Sequence, residues 1–223
     1  MLEISQIQQY FINELSNKRF TIDRTGAKTI ELIGASFCAN EPAIFGEPND
    51  EYIRDEIEWY RSQSTNIFDI YDNGRYDTDK EPPMAWKLTA NEHGEINSNY
   101  GHLIWSEKYY GQFEQVVLEL TRNPDSRRAS MIYTRPSIWE EYNENGKNDF
   151  ICTNSVTYYI RNGELHCVVQ MRSNDVIFGY RNDYAWQEYV LAELATELDV
   201  DVGSIYWQVQ NLHVYERHFN LVK

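Results

Sequence analysis

VTYYIRNGELHCVV, residues 156–169, and YAWQEYVLAELATEL, residues 184–198, together decide the fold class. In the first, Val156, Tyr158 and Ile160 alternate with other neighbours, Asn162-Gly163 supplies a two-residue turn, and Leu165, Cys167 and Val169 resume the alternation. That is the pattern of a β-hairpin. In the second, Trp186, Tyr189, Val190, Leu194 and Leu198 form one broad stripe at helical spacing, which suits a long helix buried against a sheet.

Working outward, residues 29–37, 130–133 and 205–209 read as further strands. Three more helices are predicted where Ile7, Phe11 and Leu15, then Ile53, Ile57 and Tyr60, then Tyr110, Phe113, Val117 and Leu120 recur at helical intervals. Strands and helices mix without a regular βαβ repeat, so the class is α+β. Residues from about 71 to 99 are rich in Asp, Glu, Asn, Gly and Pro and read as a polar surface insertion carrying one marked aromatic, Trp86. With no linker, repeat or low-complexity tract, residues 1–223 are expected to form a single domain.

Of the 223 residues, 35 are acidic and 20 basic, a formal charge of -15 that repels a polyanion and argues against a nucleic-acid partner. A small anion is a different matter, because a few arginines act at contact distance while the diffuse field is screened. No long apolar run marks a membrane span, and the amphipathic start MLEISQIQQYFINEL lacks the layout of an export signal. Cys38, Cys152 and Cys167 show no metal spacing, and their odd number argues against a disulfide framework. A soluble protein of a reducing cytoplasm, a host's if the chain is viral, is the expectation.

Five segments carry the chemistry: Asp23-Arg24-Thr25-Gly26, Pro124-Asp125-Ser126-Arg127-Arg128, Cys152, Arg172-Ser173-Asn174-Asp175-Val176 with Gly179 nearby, and His213-Val214-Tyr215. In that order they resemble the thymidylate synthase family over nearly the whole chain. Residues 33–37, 94–101, 131–136 and 172–186 are similar to its bacteriophage branch, whose members hydroxymethylate rather than methylate. The resemblance implies an α+β sandwich around a large curved mixed sheet, flanked by helices, in an obligate homodimer packed sheet to sheet. It also implies transfer of a one-carbon unit from 5,10-methylenetetrahydrofolate, as co-substrate, to C5 of a pyrimidine deoxynucleotide. The substrate implied is dCMP and the products 5-hydroxymethyl-dCMP, a DNA-modification precursor, and tetrahydrofolate, with no metal. Two alternatives stay open: methylation or hydroxymethylation of dUMP, and a non-catalytic nucleotide-binding paralogue.

Residue by residue, Cys152 matches the family nucleophile, a thiolate that adds to C6 so that C5 can attack an electrophilic carbon. The arginine cluster is expected to help keep it ionised. Cys38 and Cys167 read as core filler. Arg24 and Arg172, with Arg127 and Arg128 donated by the other subunit, would cradle the phosphate dianion, and Ser173 would add a hydroxyl donor. The competing use of such arginines is pairing with this chain's many carboxylates.

Glu56 matches the glutamate that organises water and relays protons, and Glu58 is its decoy, since residues two apart on a helix face different ways. Asp183 stands where thymidylate synthases carry asparagine. A carboxyl that accepts from the C4 amine and shares a proton with N3 complements cytosine. A helix N-cap is its bland alternative, and Asn182 is the candidate if the register slips by one. Thr153 follows the nucleophile where thymidylate synthases have histidine. His213 and Tyr215, on one face of a strand, match the pair that holds the sugar 3′-hydroxyl; with His218 alone, His213 makes no metal site. Tyr100, Asp175 and Gly179 match positions near the folate, and Trp86 would stack on it or serve as an exposed filler. Ending at Lys223, the chain is expected to lack the C-terminal segment with which relatives close the site.

Overall fold

A computed structural model describes residues 1–23, 26–72 and 80–223. The elements in chain order are α1 (Ile4–Ser16), β1 (Thr21–Ile22), β2 (Lys28–Cys38), α2 (Asp50–Ser62), α3 (Met84–Thr89), α4 (Tyr100–Trp105), α5 (Gln112–Arg122), β3 (Ser130–Ile132), α6 (Ile138–Glu141), β4 (Thr153–Arg161), β5 (Glu164–Asp175), α7 (Gly179–Leu198) and β6 (Asp201–Tyr215). Short 3-10 turns include 67–71 and 216–221.

The strands form one mixed sheet in the order β1-β2-β6-β5-β4-β3. The predicted hairpin is β4 and β5, paired antiparallel from Arg161 opposite Glu164. Its turn residues Asn162 and Gly163 have φ of 54° and 85°, the positive pair that a tight hairpin turn demands. α7 crosses over from β5 to β6, which run parallel with Asp175 opposite His213. Only this crossover could make them parallel neighbours, since a hairpin turn reverses the chain.

Val156, Tyr158, Leu165, Cys167, Val169, Ile205 and Trp207 point to the buried side, and alternate residues between them are more exposed. α7 covers that side with Tyr180, Tyr184, Trp186, Val190, Leu191 and Leu194, all buried. Fully removing side chains of this size from water contributes roughly 1.5–3 kcal/mol each, so the sheet and α7 hold the core together.

Three expectations are corrected. α7 begins at Gly179, five residues before the predicted stretch that opens at Tyr184, because Asp175 Oδ1 accepts from Ile177 N at 2.5 Å and Phe178 N at 3.3 Å and so starts the chain turning early. β6 runs 15 residues, well beyond 205–209, because both its edges are paired, with β2 and β5. The stretch from 71 to 99 is not wholly a surface insertion: Asn91, Ile96, Ser98 and Asn99 are buried. Asn99 Nδ2 donates to the carbonyls of Trp59 and Ser64 at 3.2 and 2.7 Å, and Asp149 accepts from the Asn97 and Ser98 amides at 2.6 and 2.8 Å. Polar residues go inside here because backbone groups complete their hydrogen bonds. Of the cysteines read as filler, Cys167 is fully buried, whereas Cys38 is partly exposed.

α4 brings Tyr100 to the core by laying its backbone at Gly101 against the backbone of α2 at Tyr60. A Cβ on Gly101 would lie 1.8 Å from the Tyr60 carbonyl oxygen. Gly101→Ala is therefore expected to cost about 1–3 kcal/mol or more through forced separation of the two helices, read as a lowered Tm.

Candidate active site

The ends of β5 and β6, the first turn of α7 and the residue before β4 meet at one place. Arg172, near the end of β5, turns back toward Cys152: its Nε donates to the Ile151 carbonyl at 3.0 Å, a terminal nitrogen donates to the Phe150 carbonyl, and that nitrogen lies 3.4 Å from Cys152 Sγ. The Phe150 ring lies under the guanidinium, 5.0 Å from centroid to Cζ. A register shift between Thr153 and Ser155 opposite β5 adds an extra residue beside the cysteine, the kind of bulge that re-aims a side chain.

Burial pushes the Cys152 thiol up to about 11, with Asp183 and Asp149 adding to the rise and Arg172 opposing it. Among the described residues Arg172 is the guanidinium that opposes this rise, and by itself it does not offset the lost solvation.

Asp183 lies on the second turn of α7, inside the helix, so the N-cap alternative is excluded. Its Oδ2 accepts from Asn174 Nδ2 at 2.7 Å, and the Tyr100 hydroxyl bonds to it as well. Thr153 Oγ1, behind Tyr100, donates to that hydroxyl at 2.9 Å. Burial first, then the Glu56 charge, pushes the Asp183 carboxyl up to about 8, and the bonds from Asn174 and Tyr100 pull the other way. Near neutral pH it is mostly an acid, able to donate one hydrogen bond and accept another.

Glu56 is 5% exposed on α2. Its Oε1 accepts from Tyr52 Oη at 2.5 Å and Trp86 Nε1 at 3.1 Å, and Trp86 Nε1 also reaches Tyr52 Oη at 2.9 Å. Burial pushes Glu56 up to about 7 against these two donors. Glu58 is the decoy: it faces away and lines a cavity of about 410 Å³ with Trp59, Ser62, Ser64 and Asp69. A second cavity of about 440 Å³, lined by residues such as Lys108, Arg135, Glu141 and Lys147, also excludes Cys152, Glu56 and Asp183. Neither volume marks the chemistry, which the charge cluster does.

At the end of β6, the buried His213 and the half-buried Tyr215 share a face, their rings edge to face at 4.8 Å. Burial lowers the His213 pKa, and Asp175 opposes that. Ser173, Asp175, Gly179 and Asn182 are partly exposed on the same rim. Arg127 and Arg128 are exposed; Arg128 is held by its own chain's Glu119, at 3.0 and 3.2 Å, the carboxylate pairing weighed above. Arg24 lies outside the described residues. No cluster of three metal-ligating side chains occurs among the described residues, and none of their helices is long and apolar enough to cross a membrane.

Two residues were missed by sequence reasoning. Tyr52 stands four before Glu56 on α2, a helical neighbour that spacing could have flagged. Asn174 stands nine before Asp183, a separation that no periodicity links.

A cysteine beside an arginine, a buried and a partly buried carboxyl and a strand-end histidine meet at the rim of a mixed sheet, and the chain belongs to the thymidylate synthase family, whose model matches residues 10–223. Enzymes of that family use methylenetetrahydrofolate as co-substrate. Within it, the chain is 51% identical over 228 residues to the deoxycytidylate 5-hydroxymethyltransferases of Enterobacteria phages T4, T2 and T6, covering 99% of this chain and 89% of each relative. Its fold matches the crystal structure of thymidylate synthase from T4 phage with a TM-score of 0.77, over 96% of this chain and 78% of that one, at 20% identity.

Both carboxyls bind a proton more tightly folded than unfolded, their ordinary values being 4.5 for Glu56 and 3.8 for Asp183. They therefore favour the folded state at low pH, and that contribution is lost as pH rises through about 7 and about 8 respectively. Glu56→Gln and Asp183→Asn are each expected to raise Tm by about 2–4 °C or more at about pH 9, and to change it little at about pH 4, in parallel melts against the parent.

Proposed function

We propose that the chain is a deoxycytidylate 5-hydroxymethyltransferase that acts on dCMP as a homodimer. The observation that carries the reading is Asp183: a carboxyl pushed up to about 8, where the family's uracil readers have an amide. As a neutral acid it presents the acceptor and donor that the C4 amine and N3 of cytosine require. The 51% identity to the phage hydroxymethyltransferases supports the same substrate.

Cys152 is the nucleophile. Its sulfur adds to C6 of the base and makes C5 electron-rich. In the dimer, Arg127 and Arg128 of the second copy join Arg172 and Arg24 around the phosphate, Ser173 adds a donor, and the cations lower the barrier to ionising the thiol. His213 and Tyr215 hold the sugar hydroxyl, and Asn182 lies beside the base-reading acid. The folate, when bound, supplies the one-carbon unit.

The donor set fits such a planar, polar ring. Gly179 carries no side chain where a Cβ would come within 3.3 Å of Asn174 and Asp175, and in this reading Asp175, Tyr100 and Trp86 supply the ring's hydrogen-bonding and flat apolar contacts. Glu56 is poised as the proton relay: at about 7 it both accepts and releases a proton near neutrality, and Tyr52 and Trp86 orient it. In this reading Glu56 directs the water that completes the hydroxymethyl group.

Incubation with dCMP and 5,10-methylenetetrahydrofolate is expected to give a nucleotide heavier by CH2O, read by mass spectrometry. Cys152→Ser is expected to lower turnover by on the order of a thousandfold or more. A product heavier by CH2, or consumption of dUMP in preference to dCMP, would refute the assignment.

A further inference from the structure

Asn174 is 3% exposed, and its amide is committed at one end only. Nδ2 donates to Asp183 Oδ2 at 2.7 Å, while Oδ1 is buried with no hydrogen-bond partner among the described residues. A buried acceptor left without a donor destabilises a fold, so stability does not account for an amide here. An apolar side chain would fill the space without that cost. The neighbouring helix start makes room for the contact: Gly179 passes so close that a Cβ on it would lie 3.3 Å from Asn174 Nδ2 and 3.9 Å from Asp183 Oδ2.

We propose that Asn174 is a specificity-determining positioning residue that fixes which oxygen of Asp183 carries the proton, and so the order of donor and acceptor shown to the base. The proposal rests on the reading that Asp183 meets cytosine. An N–H aimed at Oδ2 makes that oxygen an acceptor and disfavours a proton on it, so the proton resides on the other oxygen. A free carboxylic acid exchanges its proton between two oxygens and presents two edges, of which only one matches cytosine. Asn174 selects one of them. An asparagine in place of Asp183 would need no such selector, because its donor and acceptor ends are covalently distinct.

The test measures affinity for dCMP and for dUMP by calorimetry across pH, on the full chain, for the parent, Asn174→Ala, Asp183→Asn and the double variant. Asn174→Ala is expected to keep or raise Tm and to weaken dCMP about 10- to 100-fold, the loss of one hydrogen bond to a charged or charge-bearing group. Binding of dUMP should change by less than about threefold. The donated bond favours the ionised form of Asp183, so without it the alkaline loss of dCMP affinity should move to higher pH.

Glu56, Tyr60, Tyr100, Tyr133, Cys152 and Asp175 also face this carboxyl electrostatically. Glu56, at about 7, titrates in the same window, so the pH series is repeated in Glu56→Gln.

In the Asp183→Asn background, Asn174→Ala is expected to change dCMP affinity by less than about threefold, giving a large coupling for dCMP in the double-mutant cycle. Equal losses for dCMP and dUMP, an unmoved alkaline limb, or the same loss in the Asp183→Asn background would overturn the proposal as mere packing. An Asp183→Asn chain with unchanged preference for dCMP over dUMP would instead remove the reading beneath it, and the assignment of Asn174 with it.

Discussion

Keeping the Glu56 carboxyl out of water and that of Asp183 largely so, within reach of Glu56's charge, is the constraint around which this molecule is arranged. Glu56 and Asp183 are surrounded by rings rather than by cations. Tyr60 stacks on Tyr100 at 5.4 Å, Trp186 meets Tyr60 edge-on at 4.9 Å, Tyr133 meets Tyr100 at 5.2 Å, and Trp86 meets Trp59 at 5.2 Å. Such rings supply a low-dielectric wall and, through their hydroxyl and indole hydrogens, a few aimed donors. The wall raises both acids, and the donors keep the rise within the range where a proton can still move.

The wall is assembled from separate elements, and the β5–α7–β6 crossover is what lets them converge. Because β5 and β6 run parallel, their ends lie side by side, and Arg172, Asp175, His213 and Tyr215 share one rim of the sheet. The helix that joins those strands starts at the same rim and brings Gly179 and Asp183 to it. The antiparallel β4 begins there too, with Cys152 just before its first residue. α2 and α4 complete the enclosure through the close approach at Gly101. The phosphate side is the least finished part of a single chain. Arg128 is turned to its own Glu119, and burial holds the thiol's pKa up against Arg172, the guanidinium beside it among the described residues. A second copy bringing its arginines is the physical remedy that the proposed dimer offers.

Much of this was legible beforehand. The hairpin turn at Asn162-Gly163 and the helix under Trp186 and Val190 follow from periodicity and turn chemistry, which are local properties, whereas the preference for Glu56 over Glu58 rests on the family resemblance. Cys152, Asp183, His213 and Tyr215 stand in motifs that the sequence shows in chain order, and all four lie within residues 10–223, the span that the family model matches. Less visible were the early start of α7, the burial of Asn91, Ser98 and Asn99, and the partners of each acid. These depend on a carbonyl or amide from a distant segment, and a polar residue looks the same in sequence whether its partner is water or a buried backbone group.

The amino-acid sequence by itself determined the α+β class, the family, and which cysteine, glutamate and aspartate to look at, because those rest on patterns of neighbouring residues. Only the tertiary structure decided the proton affinities: burial holds the Cys152 thiol up to about 11, the Asp183 carboxyl up to about 8 and the Glu56 carboxyl up to about 7. A pKa is set by how much water is excluded and which donors are aimed at the group. Here those donors, Tyr100 and Asn174 for one acid and Tyr52 and Trp86 for the other, come from four different elements that only folding brings together.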